Sequence, residues 1–347
     1  MLIQPGARRL FLVFGLAVLL AACTSEAPQP AAPPPPPGKA SVTLSLRIIE
    51  QAAAYRRYIA GATTIRPAFA DGAEISSGLE TGSAYEPGQL ARGAIAYAAV
   101  VALQDPAFVS GVRIYAKDPD QRRQVAYELL KNPAYVIGLG GSASAAGLVQ
   151  AALGGDAQRL YDDGKAVKQA AYDIQKQPWS KIEVVDRSGR LARAKSLSAG
   201  PMTGEVGETA RLQQAVAAGG LGISGAAAQP PYTPTVTRGL AIAALAILGE
   251  ATDASVNAIQ ALMVEPNVTS CMRTSKLNLY QCLAVARPHY EDVFCLGQHA
   301  MMDTGRCVIR ASGLPEPYEA RFVPDASSIA KTMKPKKPPP KKRTAKR

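Results

Sequence analysis

The chain has 347 residues, 47% of them hydrophobic but only 6% aromatic, and a formal charge of +12. That length holds one large or two modest domains. The charge would point to a nucleic-acid partner if it covered the body. Nine basic residues and no acid fall between Lys331 and Arg347, however. With Arg8 and Arg9 also set aside, residues 23–330 carry only +1.

In chain order, Arg8 and Arg9 precede an uncharged stretch from Leu10 to Leu20. Eleven residues are too few to cross about 30 Å of hydrocarbon as a helix, but they suit the h-region of a secretory signal. Leu20-Ala21-Ala22-Cys23 follows and resembles the lipobox of bacterial lipoproteins. That resemblance covers residues 1–23. It implies cleavage before Cys23 and acyl chains on its thiol, which anchor a protein firmly in a membrane. In that family an aspartate after the cysteine favours the inner membrane; Thr24 and Ser25 here imply the outer membrane, facing the periplasm. Residues 23–40 then form a proline-rich tether, with Pro33 to Pro37 favouring stiff polyproline II.

From residue 41 the periodicity is helical, and the expected fold class is all-α. Leu44, Ile48, Tyr55 and Ile59 mark a helix over 41–61. An Ala-rich apolar helix occupies 89–103, and another opens at Asp118-Pro119 and stops before Asn132-Pro133. Residues 142–177 read as one long helix, or two broken near Gly154-Gly155, with Leu160, Val167, Ala171 and Ile174 on one stripe. Ile182 to Val185 followed by Asp186-Arg187-Ser188-Gly189 reads as a small hairpin. Helices resume at 207–218, 236–249 and 253–264. The prolines at 230, 231 and 234 suggest a boundary between a helical lobe at 41–228 and a second at 236–313. Asp105-Pro106-Ala107-Phe108-Val109 recurs as Asn132-Pro133-Ala134-Tyr135-Val136; with two copies this reads as chance or simple helix-start chemistry rather than an array.

Four cysteines, Cys271, Cys282, Cys295 and Cys307, lie within 37 residues of a chain expected to be exported, which points to disulfides. Three pairings are open. Residues 271–286 and 290–302 read as helices broken at Pro288, and paired positions of an antiparallel hairpin keep a nearly constant index sum. Cys282 with Cys295 gives 577 and Cys271 with Cys307 gives 578, which favours two nested bridges. Cys271 and Cys282, eleven residues apart, share a helix face. The arrangement is similar to twin-cysteine helical-hairpin domains, although the spacings differ, and no function is carried over. His289 and His299 lie in the same stretch, but the close Cys pairing of structural zinc sites is missing. No metal or other cofactor is expected.

Gly138, Gly140 and Ala143 after an apolar run imitate a dinucleotide-binding turn, but no second strand follows. Ser142 approaches a nucleophile elbow without the closing glycine. Ala143, Gly147, Ala151 and Gly155 form a small-residue stripe within the uncharged stretch 134–155; close packing inside a protein explains it better than lipid. Asp162 and Asp163 read as a solvated helix face.

Residues 331–347 read as a disordered basic tail in which Lys334, Lys336, Lys337, Lys341, Lys342 and Arg343 alternate with prolines. Such a segment attracts anionic lipids or envelope polymers. Without interleaved aromatics for base stacking, nucleic acid is a poor fit. The expectation is a lipid-anchored envelope protein of scaffold or assembly type with a protein partner. The alternative is a periplasmic enzyme using the loop from Gly138 to Ser144 or the His289/His299 region.

Overall fold

The structure, a computed structural model, describes residues 42–318. Among these are thirteen α-helices, one π-helix and no strand. The signal segment, Cys23, the tether and the basic tail lie outside the described residues.

One local rule starts many of the helices. An acid, amide or hydroxyl side chain caps the first amides, and a proline follows whose missing N–H forfeits nothing at that position. Glu86 accepts from the Gly88 and Gln89 amides before α3 (Pro87–Ala102). Asp105 does the same before α4 (Pro106–Arg113), Asp118 before α5 (Pro119–Lys131), Thr233 before α9 (Pro234–Ile247) and Glu265 before α11 (Pro266–Val285). Asn132 caps the 3-10 turn Pro133–Gly138. The apparent repeat at Asp105 and Asn132 is this rule appearing twice.

Helix α1 (Leu46–Ala62) buries Ile48, Tyr55 and Ile59 against α3, and α3 in turn packs on α9. With so few aromatics, the centre is filled by bringing small-residue helices close. A Cβ on Gly239 of α9 would stand 2.5 Å from the Ala98 methyl of α3. Helix α6 (Ser142–Ile174) runs 33 residues, about 50 Å at 1.5 Å per residue, without a break at Gly154-Gly155. It starts at Gly141, whose φ of +80° and 2.3 Å approach to the Phe108 amide, measured for an added Cβ, leave room only for glycine.

Residues 182–189 form no hairpin. Val184 donates to the Arg287 carbonyl, and Glu183 makes one isolated bridge with Pro288. Asp186 caps the Gly189 amide to open α7 (Arg187–Ala199). The Asp-Arg-Ser-Gly sequence was turn chemistry, but the turn it makes is a helix start.

Helix α2 (Gly72–Ser83), capped by Asp71, carried no clear sequence signal; α8 (Val206–Ala218) and α10 (Val256–Leu262) fall close to expectation. Buried side chains from Leu44 to Ala311 form one cluster. Residues on both sides of Pro230–Pro234 contribute to that cluster.

Small residues of α6 receive other backbone. Gly147 packs on Ala226, Gly225 stands by Ala151, and the Ala228 amide donates to the Ala143 carbonyl. Among the described residues no single helix is long and apolar enough to cross a membrane.

Candidate functional site

The four cysteines close the C-terminal hairpin. Its first leg is α11. Its second is continuous from α12 (His289–Cys295) through the π-helix Leu296–Met302 into α13 (Asp303–Ser312), ten residues beyond the expected end. Cys282 pairs with Cys295 and Cys271 with Cys307, both with Cα atoms 5.7 Å apart. The nested arrangement is the one the index sums favoured.

The second leg lies on α6 at glycine contacts. A Cβ on Gly164 would come within 2.7 Å of the Met301 Cβ, and one on Gly297 within 2.4 Å of the Lys168 nitrogen. At the turn, α7 clasps the end of α11. Arg187 Nε donates to the Ala286 carbonyl at 2.9 Å and Nη2 to that of Ala284 at 3.0 Å, while Arg190 donates to Leu283 and Ala286 and pairs with Asp292. These cations meet the carbonyl end of the helix dipole, where positive charge is favoured. Burial pushes the Asp292 carboxyl up to about 6 even with Arg190 beside it.

Between the legs is a hollow of about 770 Å³. Asn267, Thr274 and Asn278 of α11 face Asp303, Arg306 and Arg310 of α13 across it. Arg310 is paired with Glu316 at 2.8 Å. Ser275 also lines the hollow and leads inward: its Oγ lies 3.0 Å from Thr304 Oγ1, which lies 2.7 Å from the Tyr85 hydroxyl. Over the face of that tyrosine, 3.5 Å from the ring centroid, sits Lys276 Nζ. The amine donates to the Ser83 carbonyl at 2.7 Å, and Ser198 Oγ donates to the same oxygen at 3.0 Å.

Lys276 is 3% exposed and touches no carboxylate among the described residues. Burial holds its amine well below the usual lysine range. A buried ammonium without a counter-charge is expensive, and one backbone carbonyl plus a ring face compensate it only in part. Buried groups with strongly displaced titration are enriched at functional sites. The sequence held a signal for it: Lys276 occupies a core position of α11, four residues after Met272 and three before Leu279, both buried.

A prediction follows from this placement. Lys276→Met should stabilise the protein at pH ~7 by roughly 1–4 kcal/mol, as replacement of buried ionic groups by apolar ones does. The folded-state amine releases its proton below the unfolded value of 10.5, so between those two values the unfolded chain holds more protons and wild-type stability rises with pH. The advantage of the methionine variant should therefore shrink as pH climbs toward 10.5. Thermal midpoints against pH measure this, and a constant gap would rule out a Lys276 amine lowered by uncompensated burial.

The other expected residues are dispersed. Ser142 Oγ donates to the Ile137 and Leu139 carbonyls, at 2.9 and 2.7 Å, so the loop from Gly138 to Ser144 shapes the start of α6. His289 lies against Trp179 and over Gly72, and burial lowers its imidazole. His299 Nδ1 lies 2.8 Å from Asp303 Oδ2, one turn away on the same leg. The structure shows no contact linking the two histidines or either of them to Ser142. No group of three metal-ligating side chains occurs among the described residues. Cys23 and the six tail cations Lys334, Lys336, Lys337, Lys341, Lys342 and Arg343 are outside the described residues.

The chain matches no protein-family model, no curated protein and no solved structure.

Proposed function

We propose that this is a lipid-anchored protein of the bacterial cell envelope, held through Cys23, that acts as a non-catalytic scaffold or assembly factor. Its helical body presents a surface to a partner protein, and the cations from Lys334 to Arg343 bind anionic lipids or envelope polymers. The observation that carries this reading is the pair of nested disulfides, because such bonds form and persist in oxidising compartments. The lipobox-like Leu20-Ala21-Ala22-Cys23 supports the anchor, and Thr24-Ser25 supports the outer membrane.

The hollow between the hairpin legs fits a binding role. It offers amides, hydroxyls and both signs of charge on a rigid, doubly stapled frame. The Ser275 hydroxyl donates to the His299 backbone carbonyl at 2.6 Å and so is committed within the hairpin.

Fractionation of cells expressing the chain, with and without globomycin, tests the anchor. The account expects membrane-bound protein that accumulates as a larger precursor when the lipoprotein signal peptidase is blocked. Processing insensitive to globomycin, with the product free of membrane, would refute it.

A further inference from the structure

The corner of the C-terminal hairpin carries apolar side chains turned to solvent. Tyr172 of α6, Ile182 of the connection to α7 and Val285 of α11 are each more than half exposed, and Val185 is fully exposed. Backbone bonds draw that connection onto the corner: the Val184 amide donates to the Arg287 carbonyl at 2.9 Å, and the His289 amide to that of Ile182 at 3.3 Å. Tyr172 meets Phe294 of α12 edge to face, with ring centroids 6.3 Å apart. With Val285 and Tyr290 they wall a hollow of about 360 Å³.

The aromatic residues are concentrated here. They make up only 6% of the chain, yet Tyr172, Tyr290, Phe294 and the one tryptophan, Trp179, all stand at this corner. Trp179 opens the 3-10 turn Trp179–Lys181, which leads directly into Ile182, and it lies against His289. Apolar side chains exposed together, rather than singly, mark a surface that meets a partner or a membrane.

The charges at the rim choose between the two. Lys176 and Lys181 are exposed and pair with no carboxylate among the described residues. The acids around them are engaged: Asp173 with Gln169 Nε2 at 3.2 Å, Glu183 with Arg187 at 3.6 Å, Asp186 with the Gly189 amide and Glu291 with the Arg287 amide at 2.7 Å. Lysine is depleted at the centre of protein–protein interfaces. Lysine beside tyrosine, tryptophan and aliphatic tips is the composition of a surface that lies in the headgroup layer of a bilayer.

We propose that this corner docks on an anionic lipid surface. Ile182, Val185 and Val285 enter the boundary between headgroups and acyl chains, Tyr172 and Trp179 sit at headgroup level, and Lys176 and Lys181 reach lipid phosphates on long apolar stems. The contact goes beyond the acyl anchor and the basic tail, because it fixes which side of the folded body faces the membrane.

The test reconstitutes the full chain with vesicles of phosphatidylglycerol and phosphatidylcholine, or of phosphatidylcholine alone, and records flotation and Trp179 emission. Flotation reads attachment by any route; emission reads this corner, since no other tryptophan contributes. On the anionic vesicles Trp179 should shift to the blue and be quenched by lipids brominated on their acyl chains. Ile182→Asp with Val185→Asp, both on an exposed connection, should keep wild-type helicity and lose shift and quenching. Lys176→Gln with Lys181→Gln should lower the docked-to-undocked ratio on anionic vesicles roughly tenfold or more, at ~1 kcal/mol for each basic residue near such a surface. If the Asp variant alone fails to float, this corner holds the protein on the membrane and the acyl anchor is refuted. Two results would overturn the proposal. Wild-type Trp179 unquenched on anionic vesicles would leave the corner to a protein partner, and an Asp variant quenched as strongly as wild type would mean that its apolar tips do not enter the bilayer.

Discussion

Replacing Cys271 and Cys307 together by alanine is expected to lower the unfolding free energy by about 4 kcal/mol, and replacing Cys282 and Cys295 by about 3 kcal/mol. The difference comes from loop length: the outer bridge closes 36 residues of sequence separation and the inner one 13, and a longer loop removes more entropy from the unfolded chain. Cys295 and Cys307 are almost fully buried, so alanine is preferred to serine, which would add an unpaired hydroxyl. Removing both bridges should cost slightly more than the sum of the two single losses, because each single loss is measured while the remaining bridge shortens the loop. Equilibrium unfolding in urea measures all three. A loss below about 1 kcal/mol for the outer pair would mean that the hairpin is held by its clasp and by α6, with the disulfides incidental.

The second large effect is expected at Asp156. Its carboxylate is 3% exposed and accepts from Arg56 at 2.5 Å and from Arg159 at 2.7 Å. Arg56 also reaches Glu208 at 3.6 Å and lies over the Tyr97 ring at 5.1 Å, so this cluster ties α6 to α1, α3 and α8. Asp156→Ala leaves the half-buried Arg56 guanidinium with only the longer Glu208 contact. Breaking a buried pair from one side typically costs about 3–5 kcal/mol. Arg159→Ala provides the contrast: that side chain is 66% exposed and returns to water, so the loss should stay within about 1 kcal/mol. Equal losses for the two variants would show that the α1–α6 pair carries none of the stability assigned to it.

Where local chemistry decides the structure, the sequence was readable. Asp118 before Pro119 placed the start of α5, and apolar patterning placed α3 and α9 within a few residues; the same patterning left α6 as one long helix or two broken near Gly154-Gly155, and the structure has the first. The disulfide pairing followed from the symmetry of an antiparallel hairpin once Pro288 was taken as its corner. Misreadings arose where the same residues serve two structures. Asp186 to Gly189 satisfies both a turn and a helix cap, and only the docking of Arg187 and Arg190 on the α11 carbonyls decides between them. The Asp156 cluster joins residues 100 positions apart in sequence, which no local pattern encodes. Lys276 was detectable as a charge on an apolar stripe, but its carbonyl and ring partners come from residues 83 and 85, nearly 200 positions away.

The most direct measurement is non-reducing peptide mapping by mass spectrometry on protein taken from the membrane fraction of its own cells. The account predicts an acylated amino-terminal peptide beginning at Cys23 and two cross-linked species joining position 282 to 295 and 271 to 307. An intact initiator methionine, an unmodified thiol at Cys23 and four free cysteines in the hairpin would contradict it at both ends of the chain.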